Sequence, residues 1–185
     1  RAIPHQRRGI IDSGVDPQQD LYTNGTSRLV ASVYFNEGYN QHPYDVYGHG
    51  NHVAGIIAGN GDQSDGDYIG VAPRANIINV KVNGDQGGVS ASSVVAGLQW
   101  ILNNKSRYNI RVVNISMNSE VAESYHTSPI NAAVEILWFN KIVVVVSAGN
   151  HGSTRLYPPA NDPFVITVGA TNDRGTASIY DDHVA

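Results

Sequence analysis

The sequence predicts an α/β fold, a three-layer sandwich in which a mostly parallel β-sheet is flanked by helices. Two observations favour it. Short apolar runs alternate with segments of helical periodicity, and this strand–helix–strand repetition is typical of a parallel sheet with helices on both faces. One run, I-V-V-V-V at 142–146, is continuously apolar, which is typical of a strand buried on both faces. We expect the crossovers between parallel strands to be right-handed.

Five apolar runs are predicted to be strands. They contain Val or Ile and are bounded by turn-forming or polar residues. The first, R-R-G-I-I-D-S-G-V, ends in turn residues. The predicted strands cover residues 8–15, 75–82, 110–116, 142–146 and 164–170.

Three segments are predicted to be helices, at residues 50–59, 90–103 and 129–140. The first is built largely of small residues, which allow close packing against a sheet. The second places Val94, Leu98 and Ile101 on one face, and Ser90 is its predicted N-cap. The third has Pro129 at its start, where the missing backbone N–H is tolerated.

Length and composition suit one domain, which we expect to span residues 1–185. The formal net charge is −4 and no long basic run occurs, so nucleic acid is not expected as a partner. No apolar stretch approaches the roughly 20 residues of a membrane-spanning helix, so no membrane partner is expected. The absence of cysteine excludes disulfides, thiol nucleophiles and Cys-ligated metals. None of this decides the compartment, and secreted and cytoplasmic locations both fit the sequence.

Polar residues that can carry chemistry follow three of the predicted strands. Asp12, Ser116 and Asn150 come at or just after strand ends, and His49 opens the first predicted helix. Sites in open α/β sheets form beyond the carboxyl ends of the strands, so we expect these four residues at one edge of the sheet. Each alone is compatible with a turn, a loop or a surface position. Their joint placement favours a functional site.

These residue types suit acyl transfer. A carboxylate can orient an imidazole, the imidazole can remove a proton from a hydroxyl, and an amide can stabilise an oxyanion. Asp12, His49 and Asn150 would then lack only a nucleophile. The alternative is a metal-dependent hydrolase in which Asp12, His49 and His52 bind zinc, because the two histidines are spaced i, i+3. The H-x-x-H pattern is a weak signal for that reading.

Three motifs resemble those of the subtilisin-like serine proteases, the subtilases. I-I-D-S-G-V-D at 10–16 is similar to their aspartate motif, and G-H-G-N-H-V-A-G at 48–55 to their histidine motif. V-S-A-G-N-H-G at 146–152 is similar to their oxyanion-asparagine motif. The shorter matches G-V-A-P, V-K-V and V-I-T-V-G-A also agree in order and spacing. Three motifs in order are far more specific than a lone D-S-G, and the resemblance covers nearly the whole chain.

The resemblance implies a catalytic role for each motif. Asp12 would be the orienting acid, His49 the general base and Asn150 the oxyanion donor. A peptide or protein is the implied substrate, and the chemistry requires no cofactor. The resemblance also implies a peptide groove with two edges and a P1 pocket, which holds the substrate side chain preceding the cleaved bond. The implied groove residues are Gly87, Gly88 and Val89 on one edge, Ser116, Met117 and Asn118 on the other, and Ala148 and Gly149 at the P1 pocket.

The chain departs from the family pattern at two positions beside the motifs. The family usually has Thr where this chain has Asn51, and we expect the position to serve local hydrogen bonding. It usually has Gly where this chain has Asn118, which adds a side chain beside the groove and gives access to positive φ. The segment V-V-S-A-G is not a G-x-S-x-G elbow, so we expect Ser147 to be a strand-end packing residue rather than a nucleophile.

The nucleophile is the largest departure. In the family it lies in a G-T-S-M-A motif after the asparagine motif, but no G-T-S follows Asn150 here. The single G-T-S is Gly25-Thr26-Ser27, in a predicted loop before His49. We therefore expect a C-terminally truncated or nicked chain that holds about two thirds of a subtilisin-like catalytic domain and is inactive alone. A complementary C-terminal fragment with the serine is an expected partner, and an inactive peptide-binding domain is the alternative.

The polar loop at 60–68 is a candidate calcium site. The loop contains Asp62, Asp65 and Asp67 together with two glycines, and oxygen-rich, glycine-containing loops suit Ca²⁺. The resemblance also implies structural calcium near this loop. A solvated acidic loop is the alternative.

Overall fold

The structure is a computed structural model that describes residues 7–36, 41–152, 154–176, 178 and 180–184. Its ten strands and three α-helices are numbered in chain order within those ranges. The strands are β1 (Arg7–Asp12), β2 (Tyr22–Thr23), β3 (Thr26–Ser27), β4 (Leu29–Tyr34), β5 (Asn76–Lys81), β6 (Ile110–Ile115), β7 (Val143–Ser147), β8 (Ile166–Val168), β9 (Thr171–Asn172) and β10 (His183–Val184). The helices are α1 (His49–Ala58), α2 (Ala91–Tyr108) and α3 (Pro129–Phe139).

Six strands form one sheet in the order β4-β5-β1-β6-β7-β8. All five pairings between neighbours are parallel, which confirms the predicted parallel sheet. β1 lies in the middle, between β5 and β6, so the residue at its carboxyl end is surrounded by the ends of neighbouring strands. Two small antiparallel ladders, β2–β3 and β9–β10, lie outside this sheet.

Helices cover both faces of the sheet, as predicted for a three-layer sandwich. Side chains of successive residues in a strand point to opposite faces. Ile10 packs in an apolar cluster with Ala54 of α1, whereas its neighbour Ile11 packs in a second cluster with Leu98 of α2 and Val134 of α3. The sheet therefore separates α1 from α2 and α3.

Helix α2 is longer than predicted. Periodicity indicated an end near residue 103, but the helix continues to Tyr108, where Asn109 adopts a left-handed conformation and caps it. Its last turns are polar, so the apolar pattern gave no signal there. Stacking of Tyr108 on Trp100, with 5.8 Å between ring centroids, accompanies the extra turn. The predicted N-cap is confirmed, because the Ser90 side chain accepts a hydrogen bond from the Ser93 N–H.

Two strand predictions need correction. The edge strand β4 was not predicted, although it pairs in parallel with β5 over most of its length. The run at 142–146 was expected to be buried on both faces, but in β7 only Val144 and Val146 are buried, while Val143 and Val145 are half-buried. The cluster around α1 packs on β1 and β5 and does not reach β7, so that face of β7 stays partly open.

No helix in the described ranges is long and apolar enough to cross a bilayer.

The buried guanidinium of Arg28 ties three segments together. It donates to the carbonyls of Ala75 at 2.9 Å and Ala58 at 2.7 Å, and to that of Asp20 at 2.5 Å. Burial lowers the pKa of Arg28, and the Asp20 carboxylate acts in the opposite direction. The Ala58 carbonyl is the last of α1, so Arg28 satisfies an acceptor that the helix itself leaves free.

Replacement of Arg28 by Met is expected to lower the free energy of unfolding by about 3 kcal/mol. The reason is that buried carbonyls lose their donor, at about 1–3 kcal/mol for each orphaned group. Denaturant unfolding of the two proteins measures the difference. Arg111→Met, at an exposed site, is the control and should change stability by less than about 0.5 kcal/mol. Equal stabilities of the two variants would contradict the assigned role.

Candidate active site

Asp12 and His49 form the centre of the site. Asp12 is the last residue of β1 and is 1% exposed, whereas His49 is the first residue of α1. The Asp12 carboxylate oxygen Oδ1 lies 2.6 Å from His49 Nδ1. The His49 side chain is 45% exposed. A buried carboxylate therefore holds one ring nitrogen, while the ring remains accessible to solvent and to a substrate.

Three groups lie within hydrogen-bonding distance of Asp12 Oδ1. Besides the His49 ring, the Ser13 backbone N–H donates to it at 2.8 Å, and the Ser13 hydroxyl lies at 3.2 Å. A buried carboxylate is tolerated when hydrogen bonds of this kind replace the water that it loses. Its other oxygen, Oδ2, is buried and makes no hydrogen bond within the described ranges.

A second buried carboxylate, Asp45, fixes the start of α1. Asp45 accepts hydrogen bonds from the Gly48 N–H at 2.8 Å and the Asn51 N–H at 2.7 Å. These backbone groups have no partner within the helix, so Asp45 performs the capping that Gly48 itself cannot provide. The negative charge also lies at the positive end of the helix dipole.

Ser13 connects the two carboxylates. Its hydroxyl lies 2.8 Å from Asp45 Oδ1 and accepts from the Gly50 N–H at 2.9 Å. A hydroxyl has one hydrogen, and the shorter distance assigns it to Asp45 rather than to Asp12. The end of β1, the segment before α1 and the first turn of α1 are thereby joined, which sets the position of the His49 backbone relative to Asp12.

Asn51, a departure from the family pattern, was expected to serve local hydrogen bonding, but its side chain binds a segment that is distant in sequence. Its side-chain oxygen accepts from the Asp16 N–H at 2.8 Å, and its amide donates to the Asp16 carboxylate at 2.7 Å. Asp16 in turn accepts from the Asp45 N–H at 3.2 Å. Asn51 therefore joins the turn after β1 to α1.

Two fully buried polar residues of the sheet strand β5 bind the segment before α1 and fix its position. Asn79 donates to the Pro43 carbonyl at 2.7 Å, and Lys81 donates to the Tyr44 carbonyl at 2.7 Å. The Lys81 ammonium also pairs with Asp85 at 2.6 Å. A lysine is rarely this buried unless it is paired, so the contact fixes residues 43–44 and, through them, Asp45.

The two predicted groove edges border one cavity. A cavity of about 230 Å³ lies between them, with Val89 on one side and Met117 and Asn118 on the other. Val94, Ile115 and Ile130 add an apolar lining. Gly87 has a φ of +86°, and a Cβ there would lie 2.9 Å from the Tyr47 ring, so a larger residue would not fit. No contact of Gly88 or Ser116 with this cavity is found within the described ranges.

The asparagine motif follows β7 at the same edge of the sheet. The Ala148 N–H donates to the Val168 carbonyl of β8 at 2.8 Å, and Asn150 is exposed. Gly149 has a φ of +93° and packs against the Asn118 side chain. β1, β6 and β7 are parallel neighbours, so Asp12, Ser116 and Asn150 lie at the carboxyl ends of adjoining strands, as predicted.

No cluster of candidate metal ligands is found in the part of the chain that the structure describes. Within the described ranges, no three His, Asp or Glu side chains are grouped so that they could hold a metal ion. Neither of the two predicted sets of ligands is therefore grouped in this way. These sets are Asp12, His49 and His52, and the loop carboxylates Asp62, Asp65 and Asp67. His52 is exposed on the outer side of α1, where it borders a cavity with Ile56 and Tyr68. The calcium expectation at the loop stays a prediction.

The single G-T-S lies in a hairpin. Thr26–Ser27 is strand β3, which pairs with β2 across a turn at Asn24 and Gly25, both with positive φ. The Asn-Gly pair is a strong hairpin signal in the sequence that could have been recognised. The Ser27 hydroxyl accepts from the Leu29 N–H at 3.1 Å, a local turn contact.

Sequence reasoning missed the residues that support the Asp12–His49 pair, namely Ser13, Asp45 and Lys81. One signal was available for Asp45, because an acidic residue shortly before a helix is a capping candidate. Ser13 and Lys81 gave no such signal, since their roles depend on segments that are distant in sequence.

The fold and the site define the class: a parallel α/β protein with a carboxylate–imidazole pair at the carboxyl edge of its sheet. The chain matches the model of the subtilase family, peptidase S8, over residues 9–183. It is 37% identical over 189 residues to serine protease AprX of Bacillus subtilis (strain 168), a match that covers 95% of this chain and 40% of that protein. This chain therefore belongs to the subtilase family of serine proteases.

Two further likenesses agree with the family. Subtilisin Savinase of Lederbergia lenta is 32% identical over 174 residues, which covers 92% of this chain and 58% of that protein. The crystal structure of a cold-adapted subtilisin-like serine proteinase superposes with a TM-score of 0.73 at 28% identity, covering 90% of this chain and 55% of that one. The chain thus spans between 40% and 58% of the length of these relatives.

Removal of the Asp45 carboxylate is expected to loosen the site. Asp45→Ala should lower the free energy of unfolding by about 2 kcal/mol, because α1 loses its cap and Ser13 loses an acceptor. It should also broaden or shift the NMR signals of the His49 ring. Chemical denaturation and histidine-detected NMR measure the two effects. Asp182→Ala, at an exposed site, is the control; His49 signals that are identical in both variants would show that Asp45 does not position the ring.

Proposed function

We propose that this chain carries the acid–base and oxyanion part of a serine endopeptidase that cleaves peptide bonds through an Asp-His-Ser triad. The observation that carries the proposal is the contact of 2.6 Å between a carboxylate that is 1% exposed and the Nδ1 atom of a half-open imidazole. Family membership supports the same reading.

The geometry of the pair supports a different role for each ring nitrogen. Nδ1 of His49 donates to Asp12, so Nε2 carries the free lone pair and is the atom that can accept a proton from a serine hydroxyl. The Asp12 carboxylate stabilises the imidazolium that forms. Because Asp12 also holds the ring orientation, the proton transfer requires little rearrangement.

Bond making and breaking then follow the acyl-enzyme route. The serine oxygen attacks the substrate carbonyl carbon while its proton passes to His49 Nε2. The Asn150 amide donates to the resulting oxyanion. The C–N bond breaks as the imidazolium returns the proton to the leaving amine, and water, activated by the same nitrogen, hydrolyses the ester.

The cavity between the predicted groove edges supports a peptide as the substrate. Residues 87–89 and 116–118 follow a strand end or precede a helix, so their backbone groups can pair with an extended peptide as added strands. The apolar lining by Val94, Ile115 and Ile130 suits a hydrophobic side chain of such a peptide. Protein substrates would have to present an extended segment of this kind.

The nucleophilic serine is proposed to come from residues outside this chain, since no G-T-S follows Asn150. A complementary C-terminal fragment that carries it would complete the site. A structural calcium ion near Asp62, Asp65 and Asp67 remains a proposal, with stability in the presence of a chelator as its test.

The 185-residue chain alone is expected not to turn over a chromogenic peptide. The physical reason is that a general base without a nucleophile offers no acyl-enzyme route. The measurement is peptidase activity of the chain beside its His49→Ala variant, with and without an added C-terminal fragment from a relative. Activity should arise only in the mixture, and only with His49 present.

Two outcomes would contradict this proposal. Turnover by the chain alone that His49→Ala abolishes would place a nucleophile inside these residues. A chain that binds peptides but gains no activity with any fragment would instead be an inactive peptide-binding domain.

Asn150→Ala is expected to lower kcat by about 10²–10³-fold with little change in KM, the loss already known for the equivalent donor of subtilisin. The reason is that an oxyanion donor acts on charge that develops only in the transition state. Steady-state kinetics on any active preparation measure the effect. Asn103→Ala, on the exposed side of α2, is the matched control. A kcat within twofold of the parent would remove Asn150 from the oxyanion role.

A further inference from the structure

The Asn118 side chain connects the segments that follow β6 and β7 at the carboxyl ends of these strands. Ile115 of β6 pairs with Val146 of β7 in parallel register, so the residues that follow leave the sheet side by side. The Asn118 amide reaches across and donates to the Ser147 carbonyl at 2.9 Å. The Ser147 hydroxyl donates back to the Asn118 side-chain oxygen at 3.0 Å. This reciprocal pair, the Asn118–Ser147 clamp, fixes the amide across the crevice.

The clamp lies directly against the asparagine motif. A Cβ built on Gly149 would be 3.0 Å from the Asn118 side-chain oxygen and 3.3 Å from its Cγ, so the amide fills the space beside this glycine. Asn118 also borders the apolar cavity described above. Asn118 therefore lies against Gly149 and also lines that cavity.

Backbone conformation does not explain the asparagine. The sequence suggested that Asn118 preserves access to positive φ, but it is not among the described residues with positive φ. What the residue contributes is its side chain, which is half-buried and held by two hydrogen bonds.

We propose that Asn118 is a specificity-determining residue, which restricts the P1 pocket beside Ala148 and Gly149 to small side chains such as those of Ala, Ser and Gly. The proposal rests on the proposed peptidase function and on the predicted position of that pocket. A bulky apolar side chain would have to displace the amide and break the clamp, or cover its polar atoms without providing partners. A small side chain leaves the clamp intact.

The test is an NMR titration of the chain with two acetylated peptide acids, Ala-Ala-Ala-Ala and Ala-Ala-Ala-Phe, whose last residue would occupy the P1 pocket. Amide shifts at residues 87–89, 116–118 and 148–150 report binding. The parent chain is expected to bind the Ala peptide about tenfold more tightly than the Phe peptide. Asn118→Ala should shift this ratio about tenfold towards Phe.

Two further variants test whether a change in the ratio comes from the Asn118–Ser147 clamp. Ser147→Ala removes one hydroxyl from the clamp and should shift the ratio in the same direction by a smaller factor. Asn103→Ala is the matched control and should leave the ratio unchanged. The pattern of amide signals outside the groove shows that each variant is folded.

The outcomes separate the two proposals. A parent chain that binds both peptides equally, or an unchanged ratio in the folded Asn118→Ala variant, would overturn the role of Asn118 while leaving the peptide groove in place. If neither peptide shifts the groove amides in the parent or in any variant, the proposed peptide-binding function is overturned, and the inference with it.

Discussion

A buried carboxylate at the end of the central strand is the constraint on which the site depends. Asp12 lies between β5 and β6, and a charge in such a position is tolerated only when hydrogen bonds replace its water. The Ser13 N–H and the His49 ring provide them. Because one of these partners is the first residue of α1, the helix must begin beside the end of β1. The same interaction thus places the imidazole and satisfies the charge.

Other buried polar groups extend this arrangement into the fold. Asp45 caps α1 and binds Ser13. Lys81 and Asn79, on the neighbouring strand β5, donate hydrogen bonds to the segment before Asp45. Each contact joins segments that are far apart in sequence. Half-satisfied groups in such a network are costly, so the network favours a single arrangement of strand end, connecting segment and helix start. A rigid frame of this kind suits a site that must hold a ring within a small range of orientations.

Much of the fold could be predicted because its signals are local. Apolar runs and helical periodicity located five of the six strands of the main sheet and all three helices. The failures have physical causes. The last turns of α2 are polar and packing stabilises them, so periodicity missed them. The face of β7 with Val143 and Val145 is only half-buried, because which elements cover a strand is decided by the assembled layers.

The sequence by itself determined the family, the order of its motifs and the residue types at the site, since Asp12, His49 and Asn150 stand in recognisable local patterns. It also revealed Asn118 as a departure beside the groove. Only the tertiary structure decided that the Asp12 and His49 side chains meet, that Asp45 and Lys81 support them, and that Asn118 is bound to Ser147. The physical reason is that hydrogen bonds between distant segments depend on strand order and register, which leave no periodic trace in the chain.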